Sequence, residues 1–189
     1  MSNAIAYVRG IVPDAANREK MDFYPTPPEG TRALLSVEQF HGPIWEPACG
    51  EGDISRVLIE AGHDVVSTDL MDRGYGTPRV DFLMEWEPRA PNIITNPPFK
   101  NAEEFVRKAL SLTTGKVAML CRLAWLEGKD RRRLFESTPL ARVLVFAGRL
   151  KIQRSRIAVQ KDTPGMIAFA WFVWDHSHVG PPTLGWVTP

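Results

Sequence analysis

The stretch PIWEPACGEGDISRVLIEAGHDVVSTDL, residues 43–70, arranges an apolar run, an amphipathic stretch and a second apolar run in succession. In its middle part, four apolar residues from Ile54 to Ala61 are spaced i, i+3, i+4 and i+7, which places them on one face of a helix. Gly62 suits the C-terminal end of that helix. The apolar runs on either side are typical of strands, so the segment predicts a strand, helix and strand unit.

The same alternation continues toward the C-terminus. Four later runs lack polar alternation: NIIT (92–95), KVAMLC (116–121), ARVLVFA (141–147) and MIAFAWFVW (166–174). Runs of this kind indicate strands that are buried on both faces. The stretches 102–115 and 129–138 predict helices between them. The sequence therefore predicts an α/β protein whose mostly parallel sheet carries helices on both faces.

The length and composition fit one globular domain. The chain has 189 residues, of which 44% are hydrophobic and 24% charged. We expect residues 1–30 to wrap over the surface, 31–176 to form the domain and 177–189 to form an irregular tail. No apolar run reaches the roughly 18 residues of a membrane span. The two cysteines lie in apolar runs, as in proteins of reducing compartments, so we expect a cytoplasmic protein.

The charge pattern limits how the chain could bind nucleic acid. A net charge of +1 gives no global attraction, so binding would need a local basic patch. The best candidate is the long connection 148–165. Its cations are Arg149, Lys151, Arg154, Arg156 and Lys161, and those of the nearby helix are Lys129, Arg131, Arg132 and Arg133. A solvated charged face is the alternative interpretation. The four histidines have no Cys or carboxylate at ligand spacing, so no metal site is predicted.

The ends of the first strands predict a nucleoside pocket, because open α/β sheets bind ligands beyond the carboxyl ends of their strands. Gly50 and Gly52 allow the turn after the first strand to approach a ligand closely. Asp69 closes the second strand about twenty residues later, the usual distance for an acid that binds a ribose. Asp81, at the end of an expected short strand RVDF (79–82), is a candidate acceptor for an adenine amino group.

The acidic residues of the first turn indicate which nucleoside cofactor fits. Glu46 and Glu51 flank the turn, and carboxylates repel the pyrophosphate of a dinucleotide. The same acids suit a cofactor with a cationic sulfonium or ammonium group. S-adenosylmethionine is therefore favoured over NAD.

A second motif, NPPF at residues 96–99, ends the strand NIIT. Two prolines form a rigid backbone that exposes carbonyls and offers no competing N–H. The amide of Asn96 stands at one end and the ring of Phe99 at the other. Such a backbone is suited to a flat molecule that bears an NH2 group, although Asn-Pro-Pro also occurs in plain turns.

Together, EPACGEG (46–52) and NPPF (96–99) resemble the motifs of class I S-adenosylmethionine-dependent methyltransferases, and among them the adenine-specific DNA methyltransferases of phages and prophages. The upstream segment DFYPTPPE (22–29) is similar to the one that closes over the methionine end of the cofactor in those enzymes. The resemblance implies a Rossmann-like, seven-stranded and mostly parallel sheet. Its one antiparallel strand would be residues 166–174, beside 141–147.

The resemblance also implies the site residues. The expected cofactor-binding residues are Phe23, Thr26, Glu46, Ala48, Gly50, Asp69, Leu70, Asp81, Phe82 and Asn96. The expected catalytic residues are Asn96, Pro97, Pro98 and Phe99. In this interpretation the Asn96 amide oxygen and the Pro97 carbonyl each accept an N–H of the target amine, and Phe99 stacks on the target ring.

The implied activity is methyl transfer to the exocyclic amino group of adenine in DNA. The same chemistry on a base in RNA or on a protein glutamine stays open, because NPPF also resembles the motif of those enzymes. A non-catalytic cofactor-binding partner is the third alternative. Few residues separate Asp81 from Asn96, where sequence-specific members carry a recognition region. We therefore expect phosphate contacts to outnumber base contacts.

Overall fold

The computed structural model describes residues 23–152 and 167–189. The strands are β1 (Ile44–Glu46), β2 (Val65–Ser67), β3 (Asn92–Thr95), β4 (Lys116–Arg122), β5 (Leu140–Phe146), β6 (Phe169–Asp175) and β7 (Thr183–Val187). The α-helices within these ranges are α1 (Pro28–Leu35), α2 (Asp53–Glu60), α3 (Ala102–Leu112) and α4 (Lys129–Glu136). Short 3-10 turns lie at Phe82–Met84, Phe99–Asn101 and Leu123–Leu126. None of the described helices is long and apolar enough to cross a membrane.

The strands form one seven-stranded sheet in the order β2-β1-β3-β4-β6-β5-β7. β1 pairs in parallel with β2 and with β3, and β3 pairs in parallel with β4. β6 runs antiparallel between β4 and β5, whereas β7 runs parallel to β5. The predicted mostly parallel sheet, with its antiparallel strand beside residues 141–147, is confirmed.

Each face of the sheet carries its own hydrophobic core, because neighbouring residues of the strands point to opposite faces. In β6, Phe172 and Trp174 pack on the face covered by α3 and α4. Trp171 and Val173 pack on the other face, with α1 and α2. The long apolar runs of the sequence are explained by this burial on both sides.

The predicted strand at residues 79–82 is wrong. Pro78 has no N–H to give to a sheet, and Arg79 adopts a left-handed φ of 63°. Only an isolated bridge between Thr68 and Thr77 continues the pairing beyond β2. β2 is therefore an edge strand of the sheet.

The prediction of an irregular tail at residues 177–189 is also wrong, because β7 lies within it. β7 pairs with β5 along its whole length, from Arg142 opposite Thr183 to Phe146 opposite Val187. Of its five residues only Val187 is buried. The sequence of this segment lacks the apolar run of a strand buried on both faces, because the strand is held by backbone pairing to β5 rather than by burial of its side chains.

Candidate active site

A cavity of about 570 Å³ lies at the carboxyl ends of β1, β2 and β3. This volume falls in the range of small-molecule sites, roughly 300 to 1,000 Å³. All ten residues predicted to bind the cofactor line it: Phe23, Thr26, Glu46, Ala48, Gly50, Asp69, Leu70, Asp81, Phe82 and Asn96. Of the predicted catalytic residues, Asn96 and Pro98 line the cavity, whereas Pro97 and Phe99 lie outside its wall.

The turn after β1 is closely packed at its two glycines. Gly50 and Gly52 have left-handed φ angles of 56° and 86°. A Cβ at Gly50 would overlap the ring of Phe23, and one at Gly52 would lie 2.6 Å from the ring of Tyr75. Glycine is therefore required at both positions for conformation and for space.

The carboxylate of Asp69 joins the end of β2 to this turn. It accepts the Gly50 N–H at 2.7 Å through Oδ2 and the Met71 N–H at 2.8 Å through Oδ1. Each carboxylate oxygen can accept a further hydrogen bond. Asp69, which is 9% exposed, therefore shapes the turn and can still receive a hydroxyl from the cavity.

Glu46, the last residue of β1, caps the N-terminus of α2. Both the hydroxyl and the backbone N–H of Ser55 donate to its carboxyl. Burial raises the pKa of the Glu46 carboxyl well above its usual range. The nearby Asp53 and Asp69 carboxylates add to this effect, and the Ser55 hydrogen bonds oppose it. Since the carboxyl fills the helix N-terminus, that end is closed to a phosphate group.

Asp81 and Phe82 also line the cavity. Oδ1 of Asp81 accepts the Leu83 N–H at 3.0 Å and so caps the 3-10 turn that follows. Phe82 is buried, with its ring centroid 5.1 Å from that of Trp45 and 4.9 Å from that of Phe105. Phe82 therefore belongs to the core and presents only part of its side chain to the cavity.

The amide of Asn96 is held in one orientation at the end of β3. Its Nδ2 donates to the Tyr24 carbonyl at 3.0 Å and to Thr26 Oγ1 at 3.1 Å. A carbonyl oxygen can only accept, so this contact fixes which end of the amide is the nitrogen. Oδ1 is buried and has no hydrogen-bond partner among the described residues. An oriented, unsatisfied acceptor therefore stands at the cavity wall.

The segment that holds Asn96 is itself anchored to the face of the sheet that α1 covers. Thr26 leads into α1, and Trp171 of β6 donates its indole N–H to the Gly30 carbonyl at 2.8 Å. Leu150 packs against the same turn, 3.1 Å from where a Gly30 Cβ would stand. This anchoring fixes the position of the Tyr24 and Thr26 acceptors. Asp22, part of the predicted motif, lies outside the described residues.

Phe99 lies beside the cavity, in contact with three side chains. Its ring centroid is 5.2 Å from that of Tyr24 and 6.1 Å from that of Phe169. The guanidinium carbon of Arg122 lies 4.5 Å from the Phe99 centroid. A base that stacks on Phe99 would have to displace one of these groups.

The structure describes only the first part of the predicted basic connection. Arg149 and Lys151 are exposed on either side of the buried Leu150, next to α1. Arg154, Arg156 and Lys161 lie outside the described residues. The basic residues of α4, Lys129, Arg131, Arg132 and Arg133, do not line the cavity. Two of them form local ion pairs, Arg132 with Glu136 and Arg133 with Asp130.

Sequence reasoning missed three contributors to this site: the carbonyl of Tyr24, the hydroxyl of Ser55 and the guanidinium of Arg122. Tyr24 lies within the segment 22–29 that was expected to close over the cofactor, so only its contact with Asn96 was not predicted. Arg122 directly follows the apolar run of β4, and its place at the carboxyl end of a parallel strand could have indicated it. Ser55 carried no such signal, since it lies within an ordinary helical pattern.

The fold is that of Rossmann-like class I methyltransferases. The structure matches a proposed RNA methyltransferase from Pyrococcus horikoshii with a TM-score of 0.64 and 17% identity, over 83% of this chain and 88% of the other. It matches the modification subunit of a proposed type I restriction enzyme from Vibrio vulnificus with a TM-score of 0.62 and 15% identity, over 97% of this chain. That match spans about half of the subunit, 49%.

A third match is magnesium protoporphyrin IX methyltransferase from Synechocystis with bound S-adenosylmethionine. Its TM-score is 0.53 and its identity 15%, over 78% of this chain and 76% of the other. No family model and no curated protein sequence matches the chain. At these identities the matches establish the shared fold.

Proposed function

We propose that this protein transfers a methyl group from S-adenosylmethionine to the exocyclic amino group of adenine in DNA. The observation that carries the proposal is the buried Asn96 Oδ1, oriented by Tyr24 and Thr26 and unpaired within the described structure. A hydrogen-bond acceptor left without a partner costs about 1 to 3 kcal/mol, so a donor from the substrate is the natural partner.

The cavity fits S-adenosylmethionine in size and in its polar groups. Asp69 and Asp81 offer carboxylate oxygens to the hydroxyl and amino groups of a nucleoside, and Phe82 supplies an apolar wall. Glu46 closes the helix end that a dinucleotide pyrophosphate would need. When bound, the cofactor supplies an electrophilic methyl group on a cationic sulfur.

The residues of the NPPF motif prepare the target amine. An adenine amine is a poor nucleophile because its lone pair is delocalised into the ring. If Asn96 Oδ1 and the Pro97 carbonyl each accept one N–H, the nitrogen becomes more tetrahedral and its lone pair is directed into the cavity. The bond from the nitrogen to the methyl carbon would form as the bond from that carbon to the sulfonium sulfur breaks, which would leave S-adenosylhomocysteine, and the nitrogen would then lose a proton to water. No strong base is required, so positioning carries the catalysis.

DNA is the proposed substrate because the basic residues Arg149 and Lys151 lie next to the segment that holds Asn96, and because the fold matches a restriction-modification subunit. The same transfer to RNA is the second candidate, favoured by the fold match to the Pyrococcus protein. Transfer to a protein glutamine amide would use the same acceptors.

The test is a radiolabelled methyl transfer assay with unmethylated DNA, RNA and glutamine-containing protein in parallel. Asn96→Ala should lower single-turnover transfer by about a hundredfold or more at saturating cofactor, as loss of a positioned hydrogen bond in a water-excluded site does. The affinity of this variant for S-adenosylmethionine, measured by calorimetry, should stay within about threefold of the wild-type value. The lost Oδ1 accepts a hydrogen bond from the target amine, and Asn96 lines only one edge of the cofactor site.

Asn92→Ala is the matched control, since Asn92 is the same residue type at the opposite end of β3. Its side chain makes structural hydrogen bonds to His41, Pro43 and Lys116. We expect this variant to lose stability and to keep the transfer rate of its folded fraction. Equal single-turnover rates in wild type and Asn96→Ala would show that Asn96 only ends its strand and does not bind the target amine. Transfer to protein alone would replace the DNA assignment.

A further inference from the structure

Arg122 ends β4 at the same edge of the sheet as the NPPF motif. Met119 pairs in register with Thr95, and Arg122 lies three residues further along its strand. Its guanidinium carbon stands 4.5 Å from the centre of the Phe99 ring. This arginine therefore covers the ring on which a target base would stack.

The charged guanidinium of Arg122 has few partners in the described part of the protein. Its Nε is buried and has no hydrogen-bond partner among the described residues. In the same part of the chain, no carboxylate lies within ion-pair distance of it, although eight other ion pairs are formed there. The contact with the Phe99 ring is a weak attraction, whereas an unsatisfied charged donor costs more than a neutral one. The Arg122 guanidinium therefore lacks a hydrogen-bond acceptor, and an anionic acceptor would suit its charge best.

Of the three side chains that touch Phe99, Arg122 is the one that can leave most easily. Phe169 is a core residue with 6% exposure, so moving it would open the core. Tyr24 meets Phe99 through its ring, whereas its backbone carbonyl holds Asn96, so a turn of the ring would uncover Phe99 without giving the Arg122 guanidinium an acceptor. The head of Arg122, by contrast, gains partners when it moves from the ring to an acceptor.

We propose that Arg122 is a substrate-binding residue: it covers Phe99 in the free protein, yields the ring to the target base, and pairs with a phosphate that flanks the target nucleotide. The inference rests on the proposed function and deepens it, because it makes a nucleic acid the substrate. A guanidinium carries only donors in a planar fork, which matches two phosphate oxygens. A glutamine side chain brings no anion to this position.

The inference is tested by removing each partner in turn. Arg122→Met keeps an apolar stem over Phe99 and removes the charge. The substrate is a single-stranded oligonucleotide with one adenine that the wild-type protein methylates. It is made either with natural phosphates or with neutral methylphosphonates on both sides of that adenine. kcat and KM are measured for both proteins on both substrates.

For wild type, neutralising the phosphates should lower kcat/KM by about tenfold to a hundredfold, the range of a hydrogen bond to a charged group. Arg122→Met should show a loss of that size on the natural substrate, mainly in KM, and should be insensitive to the methylphosphonates. Arg122→Lys should recover part of the loss, because the charge returns without the fork. Cofactor affinity by calorimetry should not change in any of these variants.

Arg89→Met is the control, since Arg89 also lies over an aromatic ring, 5.5 Å from the centre of Trp45, but already has an ion-pair partner in Glu85. It should keep the phosphate sensitivity of wild type. If Arg122→Met keeps the wild-type KM, or loses as much as wild type on the neutral substrate, the inference is overturned while the proposed function stands. A wild-type protein that methylates neither DNA nor RNA would overturn both.

Discussion

Along the carboxyl edge of the sheet, the buried carboxyl groups on the first side, at the ends of β1 and β2, have protein partners. On the second side, at the ends of β3 and β4, three buried polar atoms have no hydrogen-bond partner among the described residues. Asp69 and Glu46 each receive two hydrogen bonds from backbone or hydroxyl donors. The three atoms are Thr95 Oγ1, Asn96 Oδ1 and Arg122 Nε. The first side is therefore satisfied by the protein itself, and we propose that a substrate supplies the partners of Asn96 and Arg122 on the second side.

This difference predicts two kinds of variant. Substitutions on the first side that remove a bonded acceptor should damage the folded state itself, because they break bonds that already exist. Substitutions on the second side should damage activity more than stability, because they remove groups whose partners arrive with the substrate. The variants that follow test this division.

Asp69→Ala should have the largest effect on stability. It leaves the Gly50 and Met71 N–H groups without their acceptor, and each hydrogen bond to a charged group contributes about 1.5 to 3 kcal/mol. We expect the free energy of unfolding to fall by about 3 kcal/mol in urea titrations, and calorimetric binding of S-adenosylmethionine to be lost.

Asp72→Ala is the matched control for that variant. Asp72 is exposed and accepts one backbone N–H, from Gly74, at 3.1 Å. Its removal should cost less than about 1 kcal/mol. If Asp69→Ala were as stable as Asp72→Ala, the hydrogen bonds of Asp69 would not stabilise the folded state. The first side would then not be held in place by its own hydrogen bonds.

Glu46→Gln should have a smaller effect that depends on pH. The folded state raises the pKa of the Glu46 carboxyl, so the unfolded chain ionises first as the pH rises above about 4.5, and wild type loses stability from that pH upward. Glutamine keeps an acceptor for Ser55 and does not ionise. The variant should therefore gain stability relative to wild type between pH 5 and pH 8, as measured by urea unfolding. A difference that stays constant across this range would contradict a raised pKa.

Thr26→Val should have the smallest effect on stability, about 1 kcal/mol, because it removes one of the two acceptors of the Asn96 amide. Methyl transfer should fall further than stability, by about tenfold, since the freed amide can rotate. Thr31→Val is the control: the buried Thr31 Oγ1 has no hydrogen-bond partner, so this isosteric change should not destabilise the protein. Equal activity in Thr26→Val and wild type would show that Tyr24 alone orients Asn96.

The central sheet could be predicted from sequence because its strands are buried on both faces, and continuous apolar runs report that burial directly. The edges could not. At the β2 edge, the backbone of Pro78 and Arg79 prevents a strand, which side-chain pattern does not reveal. At the other edge, β7 exposes Leu184 and Trp186 and is held by backbone pairing to β5, which leaves little apolar signal.

The positions of site residues could be predicted from sequence where one residue type is needed for a given chemical role. Gly50, Asp69 and Asn96 stand at strand ends with spacings that indicate their positions, and the structure brings them around one cavity. What could not be predicted were the contacts between distant segments. The bond from Asn96 to Tyr24 spans 72 residues, and the cover of Phe99 by Arg122 depends on how two strands align.

The position of β6 bears on how the chain is made. β6 lies between β4 and β5, yet it follows both in the sequence, and every residue from Lys116 to Arg122 pairs with it. While the chain is being synthesised, β4 and β5 both exist before Phe169 has left the ribosome, and each then presents an open edge. Long-range pairing forms slowly, and open edges recruit other chains. We therefore expect the nascent protein to be prone to aggregate until β6 inserts and covers the facing edges of β4 and β5, and the other edge of β5 stays open until β7 pairs with it.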